Sequence, residues 1–82
     1  MQKVTSPKVL GQILKSTRNQ KGLNQHQAGK LVGITQAMIS RIETGESNVR
    51  IDTLFRLLAA LGMEMVVEPR DRSSRLDEGD NW

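Results

Sequence analysis

An all-α bundle is the fold class that this sequence predicts, and three observations predict it. Apolar residues recur at three- and four-residue spacing through most of residues 9–61, the period of helices with one buried face. The runs are separated by stop-and-start chemistry: Lys21-Gly22 before Asn24, Gly33 before Thr35, and Thr44-Gly45 before the next run. Glycine ends helices, and Asn and Thr cap their starts. The chain has 82 residues, 37% of them hydrophobic. That suffices for one compact domain and leaves little room for a deep catalytic cleft.

Residues 1–5 read as a short arm. Ser6-Pro7 is a helix start, because Ser caps and Pro fits the first helical position. Val9, Leu10, Ile13, Leu14 and Thr17 form its apolar stripe, with Lys8, Lys15 and Arg18 largely off it. Lys21-Gly22 stops that helix. Asn24 caps a second one over residues 25–32, with Ala28, Leu31 and Val32 facing inward. Gly29 falls where two helices would cross closely, and Gly33 at a turn that needs positive φ. Thr35 caps a third helix over 36–43, whose Ile39 and Ile42 lie three apart on one face. Residues 46–50 form a polar loop. A fourth helix over 51–61 has Ile51, Leu54, Phe55, Leu57, Leu58 and Leu61 as its apolar set. Asp52 favours its N-terminus and Gly62 its end.

The period changes at Met63–Glu68, where Met63, Met65 and Val67 alternate with Glu64, Val66 and Glu68. This predicts a strand that Pro69 ends. A lone strand leaves its hydrogen-bonding edge unpaired. Pairing with the same strand of a second copy satisfies that edge and makes Met63, Met65, Val66 and Val67 dimerisation residues. Pairing with residues 1–5 is the other solution. Residues 70–81 are charged and small, with only Leu76 apolar, so they are predicted to be disordered in isolation, and the chain then reaches Trp82. The expected organisation is a helical domain over 1–62, a dimerisation strand over 63–68 and a tail over 69–82.

The net charge of +3 divides unevenly. Residues 1–56 hold nine Lys/Arg and three Asp/Glu, and residues 57–82 hold three Arg and six Asp/Glu. A basic body suits phosphate binding through counterion release, and an acidic tail suits a protein partner or solubility. There is no cysteine, which excludes disulfides and thiolate metal sites and fits a reducing cytoplasm. With His26 the only histidine, the usual zinc sets cannot be assembled within one chain. No apolar run reaches the roughly 20 residues that span a bilayer, and the N-terminus lacks the apolar core of a signal peptide. No nucleophile–base set or phosphate-cradling glycine loop stands out, so neither an enzyme nor a cofactor is expected.

Residues 24–45, NQHQAGKLVGITQAMISRIETG, resemble the helix-turn-helix of the phage-repressor-like (Cro and XRE type) family, and the likeness covers about residues 8–62. The resemblance implies an all-α, phage-repressor-like helix-turn-helix bundle that binds operator DNA as a dimer, with the short C-terminal strand pairing across it. The second motif helix would enter the major groove. Gln25 resembles the family glutamine that meets a phosphate and braces that helix. His26 beside it is either a phosphate contact or a solvated side chain. Thr35, Gln36, Ala37, Ser40 and Arg41 would form the DNA-reading face. Gln36 suits the N6/N7 edge of adenine, Ala37 a thymine methyl, and Ser40 a base or a phosphate. Arg41 either takes guanine or phosphate or pairs with Glu43 or Glu46. Met38 either packs or faces a base edge. Lys15, Arg18, Lys30, Asn48 and Arg50 are further phosphate candidates. The family more often has alanine where this chain has Gly29.

The Ser6-Pro7 start, the Ile34-x-Gln36-Ala37-x-Ile39-Ser40 core and the strand after the bundle resemble the HipB antitoxin family. That resemblance implies a HipA-type Ser/Thr kinase toxin as partner, single-chain or split, alongside operator DNA. It also makes Trp82 the residue that docks into the toxin. Tryptophan on an arm is a frequent interface anchor, and residues 69–82 extended reach roughly 45 Å at about 3.3 Å each. A stand-alone repressor or controller protein, with a merely solvated tail, is the second reading.

Overall fold

The computed structural model describes residues 2–46 and 48–70. The predicted tail from residue 71 on, with Trp82, lies outside them. Four helices follow one another: α1 (Pro7–Gln20), α2 (Gln25–Val32), α3 (Gln36–Thr44) and α4 (Ile51–Ala60). The first three start at the expected capping residues, and α4 starts after Arg50 without a side-chain cap. The Ser6 hydroxyl accepts from the Val9 N–H at 3.1 Å, with Pro7 in the first turn. Asn24 and Gln27 form a reciprocal capping box, each side chain accepting from the other's backbone N–H at 2.8 Å. Such a box satisfies two of the N–H groups that a helix start otherwise leaves without partners. Thr35 accepts from the Met38 N–H at 3.1 Å. Gly33 has φ 78°, the left-handed conformation that lets the chain turn sharply from α2 into α3.

Leu14 of α1, Ala28 and Val32 of α2, Ile39 and Ile42 of α3, and Leu54, Leu57 and Leu58 of α4 with Leu61 beyond it form the core. Helix α3 packs on both α1 and α2, and α2 packs on α4. Three inward assignments need correction. Leu31 is 60% exposed, Ile51 68% and Phe55 49%. On α2 the packed face is completed by Ala28, Gly29 and Val32, which leaves Leu31 turned outward. On α4 the buried arc is Thr53, Leu54, Leu57 and Leu58. Ile51 and Phe55, four apart, border it on the solvent side.

The buried stripe of α1 is rotated from the one its apolar residues suggest, running through Gly11, Leu14 and Arg18. The close helix crossing lies at Gly11, where a methyl group would overlap the carbonyl oxygens of Ile42 and Glu43, the latter at 2.5 Å. Gly29 is also tightly packed, but against the turn that leads into α3, with Ile34 O 2.5 Å from where a Cβ would stand.

Residues 63–70 carry no regular secondary structure. The alternation at 63–68 predicts a strand, but a strand needs a ladder. Among the described residues no backbone hydrogen bond joins this segment to residues 2–5. Met63 closes α4 through its N–H to Leu58 O at 2.8 Å. Met65, Val66 and Val67 are 42%, 58% and 88% exposed. Among the described residues no helix is long and apolar enough to cross a membrane.

Gly11→Ala should destabilise the fold by about 1–3 kcal/mol through overpacking. That exceeds the gain of up to about 1 kcal/mol in helix propensity. A urea unfolding midpoint no lower than wild type would contradict the close crossing.

Candidate nucleic-acid interface

Helix α3 divides into two faces. Met38, Ile39, Ile42 and Glu43 turn toward the bundle, and Ile39 is 1% and Ile42 6% exposed. Gln36, Ala37, Arg41 and Thr44 are exposed and Ser40 half-buried, which places them on one outward strip at helical spacing. Four of the five expected reading residues (Gln36, Ala37, Ser40 and Arg41) are therefore brought together on α3. Thr35 sits at its N-cap, exposed, with its hydroxyl oxygen engaged by Met38 N–H and its hydroxyl proton free to donate. Thr44, expected only as part of the helix stop, lies on the same strip. It is exposed, and its hydroxyl donates to Arg41 O at 3.1 Å. Its position four after Ser40 and three after Arg41 was the available signal.

A buried ion pair fixes this strip in place. Arg18 Nε donates to Glu43 Oε2 at 2.6 Å and Arg18 Nη2 to Glu43 Oε1 at 3.1 Å. Both side chains are under a tenth exposed. A third donation, from Nη1 to Leu23 O at 2.8 Å, anchors the guanidinium to the turn between α1 and α2. The hydrogen bonds to Glu43 push the guanidinium further above its ordinary value, against the opposing effect of burial. Arg18 is thus not a phosphate contact, because its charge is already answered inside the protein.

Gln25, half-buried on the first turn of α2, joins the same carboxylate through Nε2 to Glu43 Oε1 at 3.1 Å. This is the bracing role expected of it. The capping partner is Gln27. His26 is exposed beside it. The backbone N–H groups of Gln25 and His26 donate to no protein acceptor among the described residues, as is usual at a helix start and favourable for an anion.

Glu43 is buried against Arg18 and Arg41 exposed on the opposite side of α3, so the alternative pairing of Arg41 with Glu43 does not form. Among the described residues Arg41 makes no ion pair with Glu46 either. The Arg41 guanidinium is left on the surface. Met38 is half-buried and packed against the core. Of the other phosphate candidates, Lys30 and Asn48 are exposed. Lys15 lies with Gln12, Ser16, Asn19 and Gln20 along a shallow groove on α1, away from the face packed on α3. Arg50 pairs with Asp52 at 3.1 Å in full solvent. That hydrogen bond holds the Asp52 carboxyl below its usual range. Its contribution is therefore present above the ordinary carboxylate pKa and lost as the pH falls through the lowered one. Among the described residues no group of His, Cys, Asp and Glu could hold a metal ion.

The helix-turn-helix family profile matches residues 14–67. An uncharacterized HTH-type transcriptional regulator of Haemophilus influenzae is 43% identical over 54 residues, covering 66% of this chain and 55% of that one. The antitoxin HipB of Escherichia coli K12 is 36% identical over 66 residues, covering 80% of this chain and 75% of that one. The chain thus spans about half the length of the first and three quarters of the second. In the solved HipA-HipB-O2-O3 complex, the matching chain superposes with TM-score 0.77 at 34% identity, covering 87% of this chain and all of that one.

Removing the buried carboxylate by Glu43→Ala leaves Arg18 charged and unanswered, and should cost roughly 3–5 kcal/mol. Asp52→Ala, which breaks a solvated pair and a first-turn contact, should lower the unfolding midpoint far less. Equal midpoints for the two variants in urea would contradict the central role of Glu43.

Proposed function

Since this chain belongs to the helix-turn-helix family, whose members are DNA-binding regulators rather than enzymes, we propose that it is an antitoxin that represses its own operon and restrains a HipA-type kinase. The observation that carries the DNA half is the outward strip of α3, mostly polar and without ion pairs among the described residues, on a helix clamped from behind. Gln36, Ala37, Ser40 and Arg41 read base edges from the major groove, and Thr35, Gln25 and His26 hold the flanking phosphates. Two copies form an isologous dimer. Their recognition helices then lie about 34 Å apart, one turn of B-DNA, on a palindromic site.

Dimerisation rests on Met63, Met65, Val66 and Val67. Met63 packs on the core, while Met65, Val66 and Val67 are exposed and make no strand ladder among the described residues; pairing with the same run of a second copy supplies one. Ile51 and Phe55 add exposed apolar surface to the same end of the sequence. The domain reading follows: a DNA-binding domain over 1–62, a dimerisation strand over 63–68 and a tail over 69–82. The kinase half rests on the likeness to HipB, a protein captured with HipA, and on Trp82 as the anchor residue of the tail. The kinase is a Ser/Thr kinase toxin, single-chain or split. The site of action is the cytoplasm, at the nucleoid through operator binding. The second reading, a stand-alone repressor or controller, is favoured by the likeness to the Haemophilus transcriptional regulator.

Titration of the duplex upstream of the gene tests the first half. Affinity should fall steeply between low and moderate salt. Gln36→Ala should cost roughly 1–3 kcal/mol and relax preference at one base pair; a uniform loss on every sequence would move Gln36 to the backbone. Co-expression with the adjacent genes tests the second. A kinase should co-purify with the full-length protein and far less with Trp82→Ala, while DNA affinity is unchanged. No kinase with either protein, together with intact DNA binding, would favour the stand-alone regulator.

A further inference from the structure

We propose that Glu43 is a positioning residue for DNA reading, acting through the side-chain amide of Gln25. The inference rests on the DNA-binding reading and deepens it. A glutamine amide has a donor end and an acceptor end, and rotation about its last bond exchanges them. A phosphate only accepts. An amide free to rotate would therefore present its oxygen to the phosphate part of the time, with repulsion. An ionised carboxylate also only accepts, so Glu43 Oε1, 3.1 Å from Gln25 Nε2, selects one of the two orientations.

One N–H of Gln25 is engaged by Glu43. The second has no protein partner among the described residues, on a half-exposed side chain at the start of α2. That hydrogen is the one left for a phosphate. A carboxylate this close to a bound phosphate would ordinarily repel it. Here the bidentate Arg18 guanidinium, with Nε at 2.6 Å from Oε2 and Nη2 at 3.1 Å from Oε1, balances its charge. The pair thus acts as an uncharged acceptor held at a fixed point between α1, α2 and α3. Glu43 touches no DNA, and its effect on affinity passes through Gln25.

The experiment is a double-mutant cycle on the full-length protein with the duplex upstream of its gene, using wild type, Gln25→Ala, Glu43→Gln and the double variant. It is run at a temperature where each is folded by circular dichroism. Glu43→Gln is nearly isosteric and can accept or donate, so it no longer selects the amide orientation. Each single variant should weaken binding about tenfold, the size of one lost hydrogen bond to a charged group. The double variant should bind no more weakly than either single one. Losses that multiply in the double variant, or wild-type affinity for Glu43→Gln, would overturn the proposal and leave Glu43 a purely structural residue. Failure of the wild type to bind any duplex would instead remove the DNA-binding reading and this proposal with it.

Nitrogen-resolved NMR of the wild-type protein gives a test that needs no variant to fold. One Gln25 side-chain amide proton should exchange slowly before DNA is added, and the other should shift when the duplex is added. Both protons exchanging as fast as those of an exposed glutamine would overturn the proposal.

Discussion

The buried pair between Arg18 and Glu43 sets the arrangement of three of the four helices. An unpaired charge in this interior would be costly by several kcal/mol, so each group constrains the other. The constraint reaches further because both are hydrogen-bonded to third parties, Arg18 to Leu23 O and Glu43 to Gln25. The end of α1, the turn into α2, the first turn of α2 and the back of α3 are thus tied to one carboxylate. A hydrophobic pair of similar volume could fill the same space. It would not fix a rotation of α3 about its axis, because apolar contacts lack direction, whereas a forked guanidinium on a carboxylate tolerates few geometries.

Close packing makes the pair possible. Gly11 lets the backbone of α1 approach the carbonyl groups of Ile42 and Glu43 closer than any side chain would permit. With α1 that near, Arg18, two turns further on the same face, meets Glu43 without having to reach. Gly29 does the same service on the other side, where α2 lies against the turn into α3. The recognition helix is short, only nine residues. Such a helix is marginal by itself, and it keeps its shape here because α1 and α2 both press on it.

Much of this was legible in the sequence, and the reasons are local. Ser6-Pro7, Asn24, Thr35 and Gly33 act within one turn of themselves, so their chemistry alone locates the first three starts and the sharp turn. Ile39 and Ile42 read as core because α3 is flanked by unambiguous caps, which leaves its phase open to only one face. Arg18 and Glu43 were not legible as partners. They are 25 residues apart, and a charged residue counts as solvent-facing in any pattern drawn from apolar spacing. Reading α1 by its apolar residues alone turned its inward face toward Val9 and Ile13, whereas glycine and arginine complete the true one. Leu31, Ile51 and Phe55 failed in the opposite sense. Helical periodicity assigns an apolar side chain to the inside without saying whether a neighbour stands there to cover it.

The same division explains why α3 can be both held and available. Its inward residues take every strong partner the bundle offers: Glu43 takes Arg18 and Gln25, and the isoleucines take the core. Among the described residues Gln36 and Arg41, which face water, make no ion pair or side-chain hydrogen bond. Glu43 and Arg41, two residues apart, project from opposite sides of the helix, so the carboxylate is buried and the guanidinium exposed. The ion pair that orients α3 is therefore built on the face turned away from Arg41, and the outer face keeps its own charge.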